Sequence, residues 1–312
     1  MEVESNWTLV TEFVLVGFTT DPFLRIIFFV LFLASYILML AGNLGLMFLI
    51  YLDSRLHTPM YFFVGSLSFL DIWYSSVYTP RILSDCLSKN NHMSLAGCEA
   101  QFFFSAGLTF SECFLLAFMA YDRFVAICNP LLYATAMPKK LCAQLVVGSY
   151  AAGFANSIVH TGNTFRLHFC GSNIINHYFC DVLPLVKMAC DDTQVHGLIL
   201  KAAIGCNLLV TTAIIVSSYI GIGAAIVRIR SAEGRRKAFF TCSAHLISVT
   251  LFYGSILIMY SRSNSQHIPI WDKINALFYT VINPLLNPLI YSLRNKDVKA
   301  AFKKIKQETP IP

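Results

Sequence analysis

Seven separate runs of about 20 largely apolar residues divide this chain, and a water-soluble domain cannot bury that many. They lie at Ile26–Leu49, Tyr61–Leu83, Ala100–Cys128, Leu141–Val159, Leu198–Val227, Phe239–Tyr260 and Ile274–Leu293. Only 13% of the residues are charged, too little polar surface for a soluble globule. The expected fold is an all-α membrane protein, a seven-transmembrane helix bundle forming one domain over residues 1–312.

Basic residues set the expected orientation. With the N-terminus outside, the inner side holds Arg55, Arg123, Lys139, Lys140, Arg228, Arg230, Arg235, Arg236, Lys237, Arg294, Lys296, Lys299, Lys303, Lys304 and Lys306, fifteen of the 23 Lys and Arg residues. Cytoplasmic segments carry such an excess, so the formal charge of +6 reads as a topology signal rather than a nucleic-acid-binding one. Residues 1–25 are then an extracellular N-terminus, 164–196 a long extracellular loop and 294–312 a cytoplasmic tail. No basic segment with a short apolar core precedes the first span, which is expected to serve as the insertion signal. Asn6, in Asn6-Trp7-Thr8, is a glycosylation sequon on the outer side.

Polar groups inside the apolar runs need partners. Asn43 should face other helices and hydrogen-bond there. Asp71 lies ~18 Å along its helix from Pro59, and Glu112 ~21 Å from Cys98, at similar mid-membrane depth. Two such carboxylates either share a proton or hold a small hard cation such as Na⁺ with Asn and Ser oxygens. The residues alone favour the shared proton, and no cofactor is required.

Cys98 tops the third span, and Cys170, Cys180 and Cys190 lie in the long loop, giving four cysteines on the oxidising side and three possible pairings. One bridge tying loop to bundle and another closing the loop is the favoured arrangement. A zinc or copper site can also be drawn from His177, Cys180 and Asp181, but it competes with the bridge for Cys180. Cys86, Cys113, Cys128, Cys142, Cys206 and Cys242 read as small apolar residues.

The inner ends of the spans are distinctive. Asp122-Arg123 stands where the third span leaves the bilayer, and on its own reads as an interfacial anchor, since arginine snorkels to water. The fifth span ends with Ser218-Tyr219 before a basic run. The sixth holds His245 and Tyr253. The seventh ends in PLLNPLIY, which contains Asn287, Pro288 and Tyr291, and its two prolines predict a bend. Beyond it, Val298, Ala301, Phe302 and Ile305 form the apolar stripe of an amphipathic helix suited to the inner leaflet.

LHTPMYFF (Leu56–Phe63), MAYDRFVAIC (Met119–Cys128), Ser218-Tyr219, KAFFTCSAH (Lys237–His245) and PLLNPLIYSLRN (Pro284–Asn295) follow one another along the chain. Together with Gly42-Asn43, Asp71, Cys98 and the loop cysteines, they make it resemble a rhodopsin-like G-protein-coupled receptor and, within that class, an olfactory (odorant) receptor. Phe240 stands where that family usually has serine, and Arg81 where lysine is commoner. The sixth span lacks the proline-centred motif of the wider class, which leaves Tyr253 as the expected switch residue.

The resemblance implies a plasma-membrane receptor, not an enzyme. An odorant would bind in the outer halves of spans three, five, six and seven, at Phe102, Ser105, Ala106 and Thr109, at Ala203 and Asn207, at Tyr253, Ile256, Leu257 and Tyr260, and at Leu277 and Thr280. Those positions include no lone acid or base, so a small neutral volatile is expected. Cys98 and Cys180 are expected to form the bridge from bundle to loop, with Cys170 and Cys190 the other two bridged cysteines. Asp122, Arg123, Tyr219, His245, Asn287, Pro288 and Tyr291 would carry activation and G-protein coupling, through a stimulatory olfactory-type heterotrimer that raises cyclic AMP. The resemblance also turns Asp71 and Glu112 into a candidate Na⁺ site. A non-olfactory receptor of the same class is the nearest alternative. A seven-span transporter would show repeated halves or paired broken spans, and neither is visible. No nucleophile, base and oxyanion donor can be assembled into an enzyme site.

Overall fold

The structure is a computed structural model that describes residues 10–88, 91–170, 172–261, 269–293 and 296–308; Asn6 lies outside them. The chain runs through strand β1 (Glu12–Leu15), helices α1 (Pro22–Leu52) and α2 (Pro59–Leu87), strand β2 (His92–Ser94), and helices α3 (Leu95–Cys128), α4 (Tyr133–Ala136) and α5 (Lys139–Phe165). Strand β3 (Ile174–Ile175) and helices α6 (Val182–Lys187), α7 (Gln194–Arg228) and α8 (Ala232–Ser261) follow. Helix α9 (Pro269–Leu277), a π-helical stretch (Phe278–Ile282), helix α10 (Asn283–Leu293) and helix α11 (Lys296–Glu308) complete it. The seven-helix bundle consists of α1, α2, α3, α5, α7, α8 and the broken α9–α10 unit.

The bundle helices overrun their sequence-predicted spans because helices stop at caps, not where hydropathy falls. Asp21 accepts a hydrogen bond from the Leu24 N–H at 3.0 Å, and Pro22 opens α1. Ser94 does the same for α3, accepting from Gly97 N at 3.1 Å. Both satisfy otherwise orphaned first-turn donors.

Helix α3 is the axis: 67% of its apolar window is inside the protein, against 11% for α1. Small residues let α5 approach it closely. A Cβ on Gly153 would collide with Ser111 and the Gly107 carbonyl, and one on Gly107 would lie 2.7 Å from the Phe154 ring. Asn43 faces its neighbours as expected, its amide donating to the Pro284 carbonyl at 3.0 Å.

A small sheet was not anticipated. Strand β1 lies between β2, antiparallel, and β3, parallel, in the register Val14↔His92 and Val14↔Ile174. Phe13 and Leu15 are buried while Glu12 is exposed, the alternation of a half-buried strand. Lys273 fastens the turn after β1, its ammonium donating to the Gly17 carbonyl at 2.5 Å and to Asn176 Oδ1 at 2.8 Å. Gly17 has a φ of 68°, a backbone conformation that favours glycine.

The stripe on α11 is divided. Val298 and Ala301 are buried in the bundle's apolar core, whereas Phe302 is exposed.

Candidate functional site

Two disulfides shape the end of the bundle that carries the long loop. Cys98–Cys180 joins the first turn of α3 to the loop with a Cα–Cα distance of 5.5 Å, and Cys170–Cys190 closes the loop on itself at 6.0 Å. With Cys180 oxidised, the metal site drawn from His177, Cys180 and Asp181 has lost its thiolate. No group of three or more metal-ligating side chains occurs among the described residues. His177 instead packs its ring against Tyr178 and Phe179, and burial pushes its pKa down to about 3.

The bridge draws residues 179–182 across the top of the bundle, where the Cys180 N–H donates to Gln101 Oε1 at 3.0 Å. Beneath them lies a cavity of about 110 Å³. That is several times the roughly 10–15 Å³ needed to hold one water, room for a small organic molecule.

Of the positions nominated from sequence, Phe102, Ser105, Ala106, Thr109 and Ile256 line this cavity. Ala203 and Asn207 do not; on α7 the next residues, Ile204 and Leu208, do. One residue is ~100° of helix rotation, so the cavity meets α7 on a face beside the one nominated from sequence. Leu257 points away and is exposed. Tyr253 sits outside the lining, its hydroxyl donating to the Cys113 carbonyl at 3.3 Å. Leu277 and Thr280 also fall outside it, and Tyr279 enters instead. The π-helical stretch shifts the phase that regular α spacing assumes. Thr280 is engaged with the Tyr178 hydroxyl at 3.0 Å. The Tyr260 side chain lies outside the described residues.

Several lining residues were missed: Tyr74 and Tyr78 of α2, His160 of α5, and Phe179, Asp181 and Val182 of the loop. For the loop a signal existed, because a bridge through Cys180 to the top of α3 forces its sequence neighbours over the bundle. Asp181 and His160 overturn the expectation of a lining without acid or base. Asp181 caps α6, accepting from Val182 N at 2.8 Å. Burial pushes its pKa up to about 6, opposed by that backbone hydrogen bond and reinforced by the like charge of Asp272. His160 is 3% exposed and stacks on Phe110, and neither of its ring nitrogens has a hydrogen-bond partner among the described residues.

Deeper in the bundle, Asp71 and Glu112 are both buried and feel each other's charge. The Asn287 amide donates to both Asp71 oxygens, at 3.0 and 3.2 Å. Ser248 donates in turn to Asn287 Oδ1 at 3.1 Å.

At the opposite end, Arg123 is buried and ion-paired with Asp122. Tyr133 donates to the other oxygen of that carboxylate at 2.7 Å, and Arg123 Nη1 lies 2.8 Å from Met60 Sδ. Tyr219 stands apart, bonded to His245 Nδ1 at 2.7 Å, while His245 Nε2 reaches the Leu116 carbonyl at 3.0 Å. A carbonyl only accepts, so in the neutral ring Nε2 carries the hydrogen and Tyr219 donates. Arg123 and Tyr291 border an open cavity of about 1030 Å³, rimmed by Arg55, Arg236 and Lys237. Pro288 packs against α1, where a Cβ on Gly42 would lie 3.0 Å from it.

A family model described as olfactory receptor matches residues 32–309. The chain is 59% identical to Olfactory receptor 9G4 of Homo sapiens over 307 residues, 98% of this chain and 94% of that one. It is 54% identical to Olfactory receptor 9G19 of Mus musculus over 97% of this chain and 99% of that one, and 56% identical to Olfactory receptor 9G9 of Homo sapiens over 96% and 98%.

Proposed function

The chain belongs to the olfactory receptor family, a multi-pass plasma-membrane receptor of the G-protein-coupled class and not an enzyme, and from that premise we propose which odorant site and which transducer it uses. A small volatile binds in the cavity beneath the Cys98–Cys180 bridge. The receptor then engages a stimulatory, olfactory-type G protein at the Arg123 end and raises cyclic AMP. The N-terminus and long loop face outward, and the basic Arg123 end faces the cytosol.

The observation that carries this reading is the pairing of a mostly apolar cavity at one end of α3 with an ion-paired arginine beside a larger, basic-rimmed cavity at the other. Signalling is a population shift: an odorant that prefers the state with α8 displaced contributes its differential affinity. In that state Arg123 leaves Asp122, Tyr219 leaves His245, and both turn toward the G protein with Tyr291. The experiment is a panel of volatile odorants on transfected cells with a cyclic-AMP readout and surface staining. A dose-dependent rise is expected; a surface-displayed receptor silent to the whole panel overturns the reading.

A sodium ion suits the middle of the bundle. Asp71 and Glu112 are buried carboxylates without a cation among the described residues, and the buried Oδ1 atoms of Asn43 and Asn283 have no hydrogen-bond partner. Hard oxygen donors with excess negative charge fit such an ion, which would offset one of the two charges while the other carboxyl keeps its proton, and would steady the resting arrangement. Replacing Na⁺ by choline should raise basal signalling in the wild type but not in Asp71→Asn. Equal basal signalling in both salts would remove the ion from the account.

A further inference from the structure

The polar groups around the cavity are mostly committed within the protein. Ser105 donates to the Phe102 carbonyl at 2.9 Å and Thr109 to the Ser105 carbonyl at 2.8 Å. Cys180 is bridged. An acid and a base among them keep free capacity. The Asp181 carboxylate accepts a single hydrogen bond, from Val182 N, and has no cationic partner among the described residues. The phenols of Tyr78 and Tyr279, which also line the cavity, lie within its electrostatic reach. The buried His160 ring has no hydrogen-bond partner at either nitrogen among the described residues.

Resting on the odorant cavity proposed above, we propose that its ligands carry a hydrogen-bond-donating head, a hydroxyl or a protonated amine, received by the Asp181 carboxylate with the His160 ring as second polar contact. An ionised carboxylate accepts and never donates, so it meets a hydroxyl or ammonium hydrogen and repels the lone pairs of a ketone, aldehyde or ether. The imidazole adapts, accepting a second hydrogen from an ammonium or donating to a hydroxyl oxygen according to its tautomer. The aromatic walls suit either body and favour a cation at their faces. A site whose buried polar groups are satisfied only by the matching ligand discriminates strongly against one that leaves them unpaired.

Aromatic compounds of closely similar size test this on purified full-length receptor, read by thermal stabilisation and, in cells, by cyclic AMP. Benzyl alcohol and benzylamine supply the two donor heads, and benzaldehyde and benzyl methyl ether supply acceptor-only heads. In the wild type, at least one donor compound should stabilise at concentrations about tenfold or more below both acceptors, an affinity ratio of about 1.4 kcal/mol. The alcohol and amine arms say which head is preferred. Asp181→Asn keeps an oxygen to cap α6 but adds N–H donors, so the preference should fall to parity or invert. Should that variant not reach the surface, His160→Phe, which keeps the stack on Phe110, should still narrow the ratio. Parity in the wild type, acceptor preference, or no stabilisation by any of the four overturns the proposal. Stabilisation by donors without cyclic AMP overturns the coupling read above and leaves this one standing, whereas cyclic AMP from acceptors and donors alike does the reverse.

Discussion

At the Cys98 end of α3, Asp181 and His160 face a cavity with bonding capacity unused, whereas ~38 Å along the same helix most polar groups around Arg123 are bonded to one another. Arg123 holds Asp122, which also takes Tyr133, and Tyr219 holds His245, which takes Leu116. The first end is built on covalent bridges and leaves an acid without a cation and a base without a hydrogen-bond partner among the described residues; the second is held by non-covalent contacts and leaves the buried Tyr291 hydroxyl unbonded among them. On the function proposed above, the contrast is that of a receptor at rest, with an incomplete input and an output closed by bonds that cost little to exchange.

Three substitutions break or sharpen that contrast. Arg123→Ala should reduce odorant-evoked cyclic AMP by more than about tenfold, because the group that must leave Asp122 no longer exists. Odorant binding at the far end should persist, and a full signal with normal surface staining would show the two ends to be unrelated. Cys180→Ser removes a bridge of a kind typically worth about 2 to 4 kcal/mol. Surface display should fall, and the receptor that remains should lose odorant response with residues 179–182 no longer pinned; unchanged potency would detach the loop from the input site. Tyr219→Phe deletes one hydrogen bond of about 1 kcal/mol. It should raise basal cyclic AMP severalfold by weakening the resting state, while lowering the maximal response. Unaltered basal signalling would remove the Tyr219–His245 bond from the closed set.

Much of the bundle was legible because long apolar runs admit few folds, and its landmarks because they break a rule: Asp71 and Glu112 inside apolar runs, four cysteines on one side. Arg123 on its own reads as a snorkelling anchor, yet the structure buries it against Asp122. The cavity lining was harder. On α3 polar residues mark a face, so Phe102, Ser105, Ala106 and Thr109 are identified together. On α7 the apolar residues surround the helix and give no phase, which is why Ala203 and Asn207 stand in for Ile204 and Leu208. In the seventh unit an inserted π-helical stretch puts Tyr279 where α spacing points to Thr280. Asp181 went unread as a lining residue because loop position depends on a bridge between residues 82 positions apart, and hydropathy carries nothing about that.

The small sheet bears on how the receptor is made. Strand β1 leaves the ribosome first, yet its parallel neighbour is 160 positions downstream, since Val14 pairs with Ile174. At 5–20 residues per second, β1 waits roughly ten to thirty seconds with one edge unpaired. An unpaired edge is a template for any other strand. Strand β1 therefore completes its pairing only once the loop after α5 has formed, and during that interval its edge is open to a chaperone or to a second nascent chain.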